Sequence, residues 1–167
     1  MTTLTAEKTA AALSLDAAIE TIWLEADLLD GKTYNAWLDM WTPDGIYVIP
    51  VDPDAQDFAA VLNIAYDDDT MRRMRVARLQ GGRTISAAPA ARTVRTVSRF
   101  RVIAADAASI TVRAAQHLVE QKFERQRLYA ADVTYTLVAS DDGLKLREKV
   151  VRLINCDESL TSISYLF

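Results

Sequence analysis

The chain has 167 residues, half of them apolar and a quarter charged, with 19 Lys and Arg against 23 Asp and Glu and a net charge of −4. That length supports one domain with a sizeable core, and the acidic balance argues against nucleic-acid binding through a basic surface. The single Cys, Cys156, cannot close an internal disulfide, and no apolar run approaches the ~20 residues that cross a bilayer.

Residues 1–13 are rich in Thr and Ala and lack the basic start and long apolar stretch of a signal peptide. They read as a flexible tail ahead of a single domain over 14–167, in a cytoplasmic protein. Ser14 is a suitable N-cap, with Asp16 in the first turn. Leu15, Ala18, Ile19, Ile22, Trp23, Ala26 and Leu29 follow at helical spacing, and Asp30-Gly31 ends the helix. A second, shorter helix carries Tyr34, Trp37, Leu38 and Trp41. Pro43-Asp44-Gly45 reads as a turn, and Ile46–Ile49 as a short strand stopped by Pro50.

Val51 to Phe58 holds further breakers and reads as loop; Val61 to Tyr66 is strand-like. Asp67, Asp68 and Asp69 precede Arg72, Arg73, Arg75 and Arg78, the charge order that suits a helix dipole. Met71, Met74 and Leu79 give that helix an apolar side, and Gly81-Gly82 ends it. From Arg92 the pattern alternates as in strands, most clearly at Tyr129, Ala131, Val133, Tyr135 and Leu137 against Asp132, Thr134 and Thr136. Asp141-Asp142-Gly143 is a hairpin turn, with a return strand from Leu144 to Cys156. Long strands with helices at one end predict an α+β fold: a strongly curved sheet wrapped around the N-terminal helices.

The residue inventory limits the chemistry. A mononuclear iron triad needs two His and a carboxylate, a Rieske cluster two Cys and two His, and zinc sites several of either. This chain has one His, His117, and one Cys. No nucleophile elbow, P-loop or dinucleotide glycine pattern appears. Cys156 reads as a small buried thiol and His117 as a structural strand residue. For acid–base work the candidates are His117 and the carboxylates Asp27, Asp39, Asp44 and Asp132; the plainer reading puts Asp27 and Asp39 on solvated helix faces and Asp44 in a turn. Trp23, Tyr34, Trp37, Trp41 and Tyr47 read as core rather than as a ligand cage. Arg95, Arg99 and Arg101 fall on one face of a strand by alternation, either solvated or facing an acidic partner surface.

Four stretches together resemble the beta (small) subunit of bacterial aromatic-ring-hydroxylating dioxygenases, the Rieske non-haem iron oxygenases. They are Glu25-Ala26-Asp27-Leu28-Leu29-Asp30 with Tyr34, Trp37-Leu38, Asp44, Tyr47 and Pro50; Tyr66-Asp67-Asp68-Asp69 to Arg75-Val76-Ala77-Arg78-Leu79; Pro89-Ala90-Ala91-Arg92-Thr93 with Val97-Ser98; and Lys149 to Asn155 with the end Ser162-Ile163-Ser164-Tyr165-Leu166-Phe167. The chain departs from the family pattern at Ala130-Ala131-Asp132 and Val94-Arg95-Thr96.

The resemblance implies an NTF2-like (SnoaL-like) cone, a mixed bent sheet around helices, as in nuclear transport factor 2 and ketosteroid isomerase. It implies a non-catalytic structural subunit in a hexamer of three alpha and three beta subunits. The Rieske [2Fe-2S] cluster and the mononuclear Fe(II) would lie in the alpha subunit, fed by a ferredoxin and a reductase that draw on NAD(P)H. On this reading the chain has no catalytic, cofactor-binding or metal residues, and Arg95, Arg99, Arg101, Tyr165, Leu166 and Phe167 are candidates for the partner interface. The competing expectation is a stand-alone isomerase, cyclase or dehydratase on the same fold, with a hollow cone and a pocket Asp or His as acid/base.

Overall fold

In the computed structural model the described residues are 13–81, 91–155 and 166–167. Helix α1 spans Leu15–Asp30, capped by the Ser14 side chain, which accepts from the Ala17 amide. A short helix α2, Tyr34–Asp39, follows. Strands β1 (Trp41–Pro50) and β2 (Asn63–Asp67) precede helix α3 (Asp69–Gln80), whose N-cap is Asp68. Four long strands complete the fold: β3 (Arg92–Ala105), β4 (Ser109–Lys122), β5 (Arg125–Ser140) and β6 (Gly143–Leu153).

All six strands form one sheet in the order β2-β1-β6-β5-β4-β3, with β1 and β6 parallel and every other pair antiparallel. Register shifts interrupt β1 between Trp41 and Ile46, β3 between Ser98 and Arg101 and again near Ala104, and β5 at Thr136/Leu137. Each bulge bends its strand and raises its twist, so the sheet curls. Helix α1 lies across the curl, against β3, β4 and β6. The expected α+β architecture is present.

Several local expectations change. Trp41 opens β1 instead of extending α2, and Pro43-Asp44-Gly45 lies inside β1 as its bulged segment. A helical i, i+7 spacing also places two aromatics on one side of a helix-to-strand junction, which is why the periodicity misled. The α1 stripe is rotated: Ala18, Ile22, Glu25, Ala26 and Leu29 are buried, whereas Trp23 is 48% exposed. On α3 the packed side is Arg72 and Val76, while Met71 and Met74 face solvent. Gly82, the Pro89-Ala90 pair, Cys156 and residues 157–165 lie outside the described residues.

Candidate functional site

Among the described residues, side chains pack the interior of the curl. Trp37 meets Trp41 and Tyr47 edge-on, with ring centroids 5.5 and 6.2 Å apart, beside the inward row Tyr129, Ala131, Val133, Tyr135 and Leu137. Such aromatic pairs add to area burial, about 0.5–1.5 kcal/mol each.

Among these rings sits a charged pair. Glu25, from α1, and Lys149, from β6, are 2.8 Å apart, and their side chains are 2% and 0% exposed. The second Glu25 oxygen accepts from Trp37 Nε1 at 3.0 Å. Lys149 Nζ also donates to the main-chain oxygen of Phe167 at 2.7 Å and lies 5.3 Å from the centre of the Tyr135 ring. Burial pushes the Lys149 amine below its usual range, and the Glu25 carboxylate opposes that shift. Burial likewise raises the Tyr47 and Tyr135 phenols. Isolated charges in so dry a site would cost several kcal/mol each; here they persist because each is paired and further hydrogen-bonded.

A second ion pair adjoins the first. Arg95 on β3 points inward and bonds Asp30, at the end of α1, through its guanidinium; the Asp30 carboxylate also accepts from the Arg95 amide and from Thr93 Oγ1, both at 2.7 Å. The Arg95 guanidinium donates as well to the main-chain oxygen of Leu166. The Phe167 amide donates to Tyr47 Oη at 3.0 Å, and the Phe167 ring meets Tyr129 edge-on at 5.3 Å. Leu166 and Phe167 thus occupy the interior of their own chain.

A third cluster holds the β1 bulge. Arg72 is fully buried under Trp41, its guanidinium carbon 4.3 Å from the ring centre, and donates to the carbonyls of Gly45 and Asp67. Arg75 forms a fork to Asp67, with contacts of 2.5 and 3.0 Å. The acidic-then-basic order of this segment therefore has a structural task beyond the dipole: Asp68 caps α3, Arg72 ties it to β1 and Arg75 ties it to Asp67 of β2.

Outside the curl, an open groove of about 710 Å³ crosses the other face of the sheet, lined by Phe58, Ile103, Arg113, Asp132, Val150 and Arg152 among others. Asp132 accepts from Arg113 at 2.6 Å and from Arg99 at 3.3 Å. Arg152 donates to the carbonyls of Pro53 and Ala55, holding the loop after β1 against β6.

The sequence candidates are scattered. His117, Asp27, Asp39 and Asp44 are all exposed, on β4, α1, α2 and β1. Asp132 is on the outer face, paired to arginines. The three arginines do not share a face: Arg99 has φ 58° in the β3 bulge, which breaks the alternation, so Arg95 is buried while Arg99 and Arg101 are exposed. Of the interface candidates, Arg95, Leu166 and Phe167 are buried within the chain, and Arg99 and Arg101 are exposed. Tyr165 lies outside the described residues. Sequence reasoning missed the buried roles of Glu25, Lys149 and Arg72. The available signal was a charge on an apolar row, since Glu25 is three residues from Ile22 and four from Leu29.

The residues present do not fit an iron site. Among the described residues no three His, Cys, Asp or Glu side chains come together, and the one His and one Cys fall short of a Rieske donor set.

The four stretches singled out in the sequence converge on these clusters: Glu25, Asp30, Trp37, Tyr47, Thr93, Lys149, Leu166 and Phe167 in the interior, Asp67 and Arg75 at the bulge. A family model described as ring hydroxylating beta subunit matches residues 24–157. The chain belongs to the ring-hydroxylating beta subunit family. It is 27% identical over 139 residues to the small subunit of 2-halobenzoate 1,2-dioxygenase of Burkholderia cepacia, covering 80% of this chain and 84% of that one. It is 30% identical over 132 residues to the small oxygenase component of the p-cumate 2,3-dioxygenase system of Pseudomonas putida, covering 78% and 73%. The fold matches the crystal structure of the benzoate 1,2-dioxygenase beta subunit of Burkholderia mallei with a TM-score of 0.76 at 24% identity, covering 92% and 98%. An NTF2-like protein with a cystatin-like fold from Novosphingobium aromaticivorans aligns with a TM-score of 0.58 at 17% identity, covering 81% of this chain and 79% of that one. This ring-hydroxylating beta subunit is thus an NTF2-like cone whose centre is occupied by paired charges and by its own Leu166 and Phe167.

Proposed function

We propose that this chain is the non-catalytic small subunit of an aromatic-ring-hydroxylating dioxygenase, and that it stabilises the large subunit carrying the Rieske cluster and the mononuclear iron. The reading extends to a hexamer of three large and three small subunits in the cytoplasm, with reducing equivalents reaching the large subunit through electron-transfer partners. The observation that supports it most is the packing of the interior among the described residues. An acid–base enzyme needs its group beside a space for substrate, and here Glu25, Lys149, Tyr47 and Tyr135 face one another or Phe167 instead. Titratable groups that are free to act, His117 and Asp44 among them, stand on separate outer surfaces.

The surface also suits a partner. Ile64 and Tyr66 are exposed on the edge strand β2, Leu62 just before it is 76% exposed, and Val102 and Ile103 are exposed on the opposite edge strand. Apolar surface of this kind marks interaction sites. Arg99 and Arg101 remain as outward cations at that second edge and are the arginines we assign to the interface.

Reconstitution tests this. The large subunit supplied with the His117→Ala, Asp44→Asn or unchanged chain should hydroxylate at the same rate within about twofold. A loss of turnover of about a hundredfold, with assembly intact, would contradict the reading, because acid–base groups contribute on that scale or above.

A further inference from the structure

Leu166 and Phe167 sit in the cone as a bound dipeptide would. They belong to no strand or helix, yet each is 1% exposed. Their polar contacts include the Arg95 guanidinium on the Leu166 oxygen, Lys149 Nζ on the Phe167 oxygen at 2.7 Å, and the Phe167 amide on Tyr47 Oη at 3.0 Å. The benzyl group fits edge-on to Tyr129. The holding groups come from β1, β3, β5 and β6, and two of them, Lys149 and Arg95, are also bonded to residues outside the dipeptide. Lys149 is fixed by Glu25, Glu25 by Trp37, and Arg95 by Asp30. Two more buried donors, Gln116 Nε2 and Arg95 Nε, have no partner among the described residues, and Gln116 lies within 3.5 Å of Tyr135 Oη. A site whose donors are locked by other residues keeps its shape when emptied, and preorganisation is what lets a small ligand bind without a large ordering cost.

We propose that the interior is a preformed binding site for a leucyl-phenylalanine segment: a phenyl ring in the slot beside Tyr129, and acceptor oxygens on Lys149 and Arg95. The chain fills it in cis with Leu166 and Phe167, and the vacated site takes the same dipeptide in trans. Tethering supplies an effective concentration in the millimolar range, so the chain's own segment outcompetes free peptide and a full chain looks closed. The inference does not require the large subunit and can fail without touching the scaffold reading, because its readout is the stability of this chain alone.

The test uses a variant lacking Leu166 and Phe167, and a second, Phe167→Ala, that keeps the main-chain contacts. Thermal unfolding and tryptophan fluorescence are followed with N-acetyl-Leu-Phe, its amide, and N-acetyl-Leu-Ala as control, and with toluene for Phe167→Ala. The truncated chain should stay folded and melt lower by several degrees. N-acetyl-Leu-Phe should raise its Tm, following the ligand-linkage relation, and the Ala control should not. Toluene should raise the Tm of Phe167→Ala, as apolar cavities take small aromatics, and the full chain should respond to neither. A response to the amide as strong as to the acid means Lys149 reads a carbonyl, and a response to the acid alone means it reads a carboxylate; both uphold the site. A phenyl-specific response in either variant supports the proposal. No response in both overturns it.

Discussion

Lys149 and Glu25 are 124 positions apart in the chain and 2.8 Å apart in the fold, joined across the centre of the cone. The pair ties α1 to β6, and its satellites Trp37, Tyr135 and Phe167 tie in α2, β5 and the last described residues. Removing one partner leaves an uncompensated buried charge, which costs roughly 3–5 kcal/mol. We expect Lys149→Met and Glu25→Gln each to lose about that much in urea unfolding. The double variant should lose clearly less than the sum, with a coupling of about 2 kcal/mol. Additive losses would contradict the pairing.

The β1 bulge gives a second test. Arg72 satisfies the carbonyls of Gly45 and Asp67 from a fully buried position. Arg72→Met keeps much of the volume but leaves those oxygens unpaired in a dry site, at about 1–3 kcal/mol each, so we expect a loss near 3 kcal/mol. Arg73→Met, one residue on, bonds only Asp69 at the surface and should cost under about 1 kcal/mol. Equal losses would contradict the clamp.

Gly45 is required at the same bulge. A methyl group there would stand 2.9 Å from the Trp41 ring and 3.1 Å from the Leu146 and Thr42 carbonyl oxygens. Two of these neighbours are main chain, so the strand must move; we expect Gly45→Ala to destabilise by roughly 1–3 kcal/mol, seen as a lower Tm with an unchanged fold by circular dichroism.

Tyrosine titration reads the interior directly. Burial raises the folded-state phenols of Tyr34, Tyr47 and Tyr135 above their usual range. A raised pKa means the folded chain holds protons that the unfolded chain releases, so this stability is fully present below about pH 10 and falls as pH rises beyond it. Absorbance near the phenolate band should show a subset of the six tyrosines ionising smoothly, and the buried ones only with unfolding. A single smooth transition of all six before unfolding would contradict a closed cone.

Much of the architecture was legible because it rests on patterns that survive in one dimension. The Ser14 cap, the Asp30-Gly31 stop, the alternation from Tyr129 to Leu137 and the Asp141-Asp142 hairpin each carry a local physical reason. What failed was set by tertiary geometry. Trp41 kept helical spacing while belonging to a strand, because the junction with α2 continues the same buried side. Arg95 and Arg99 kept alternating spacing, but the bulge at φ 58° moved them to different surroundings. Glu25 and Lys149 were visible in the stretches that resembled the family, yet a charge on an apolar row declares its partner only when the chain has folded. The interior, the most telling part of the site, was therefore the least readable.

The outward arginines bear on assembly. Arg99 already shares Asp132 with Arg113, and Arg101 is exposed beside it. Replacing both with Glu should leave the Tm of the isolated chain within about a degree, since surface pairs contribute little. It should also weaken association with the large subunit at least tenfold in a titration, because like charges at an interface cost several kcal/mol. Unchanged association would move the interface to the β2 edge at Leu62, Ile64 and Tyr66.

The central claim is that this chain is a scaffold for a metal-bearing partner, and the most direct test is light scattering with iron analysis. The chain is measured alone and after co-expression with the large subunit of its own oxygenase. The account predicts an iron-free species alone and, on co-expression, a complex of equal numbers of both subunits that contains all the iron. A chain that stays iron-free at the same mass in both preparations, with the large subunit stable and active without it, would contradict the account.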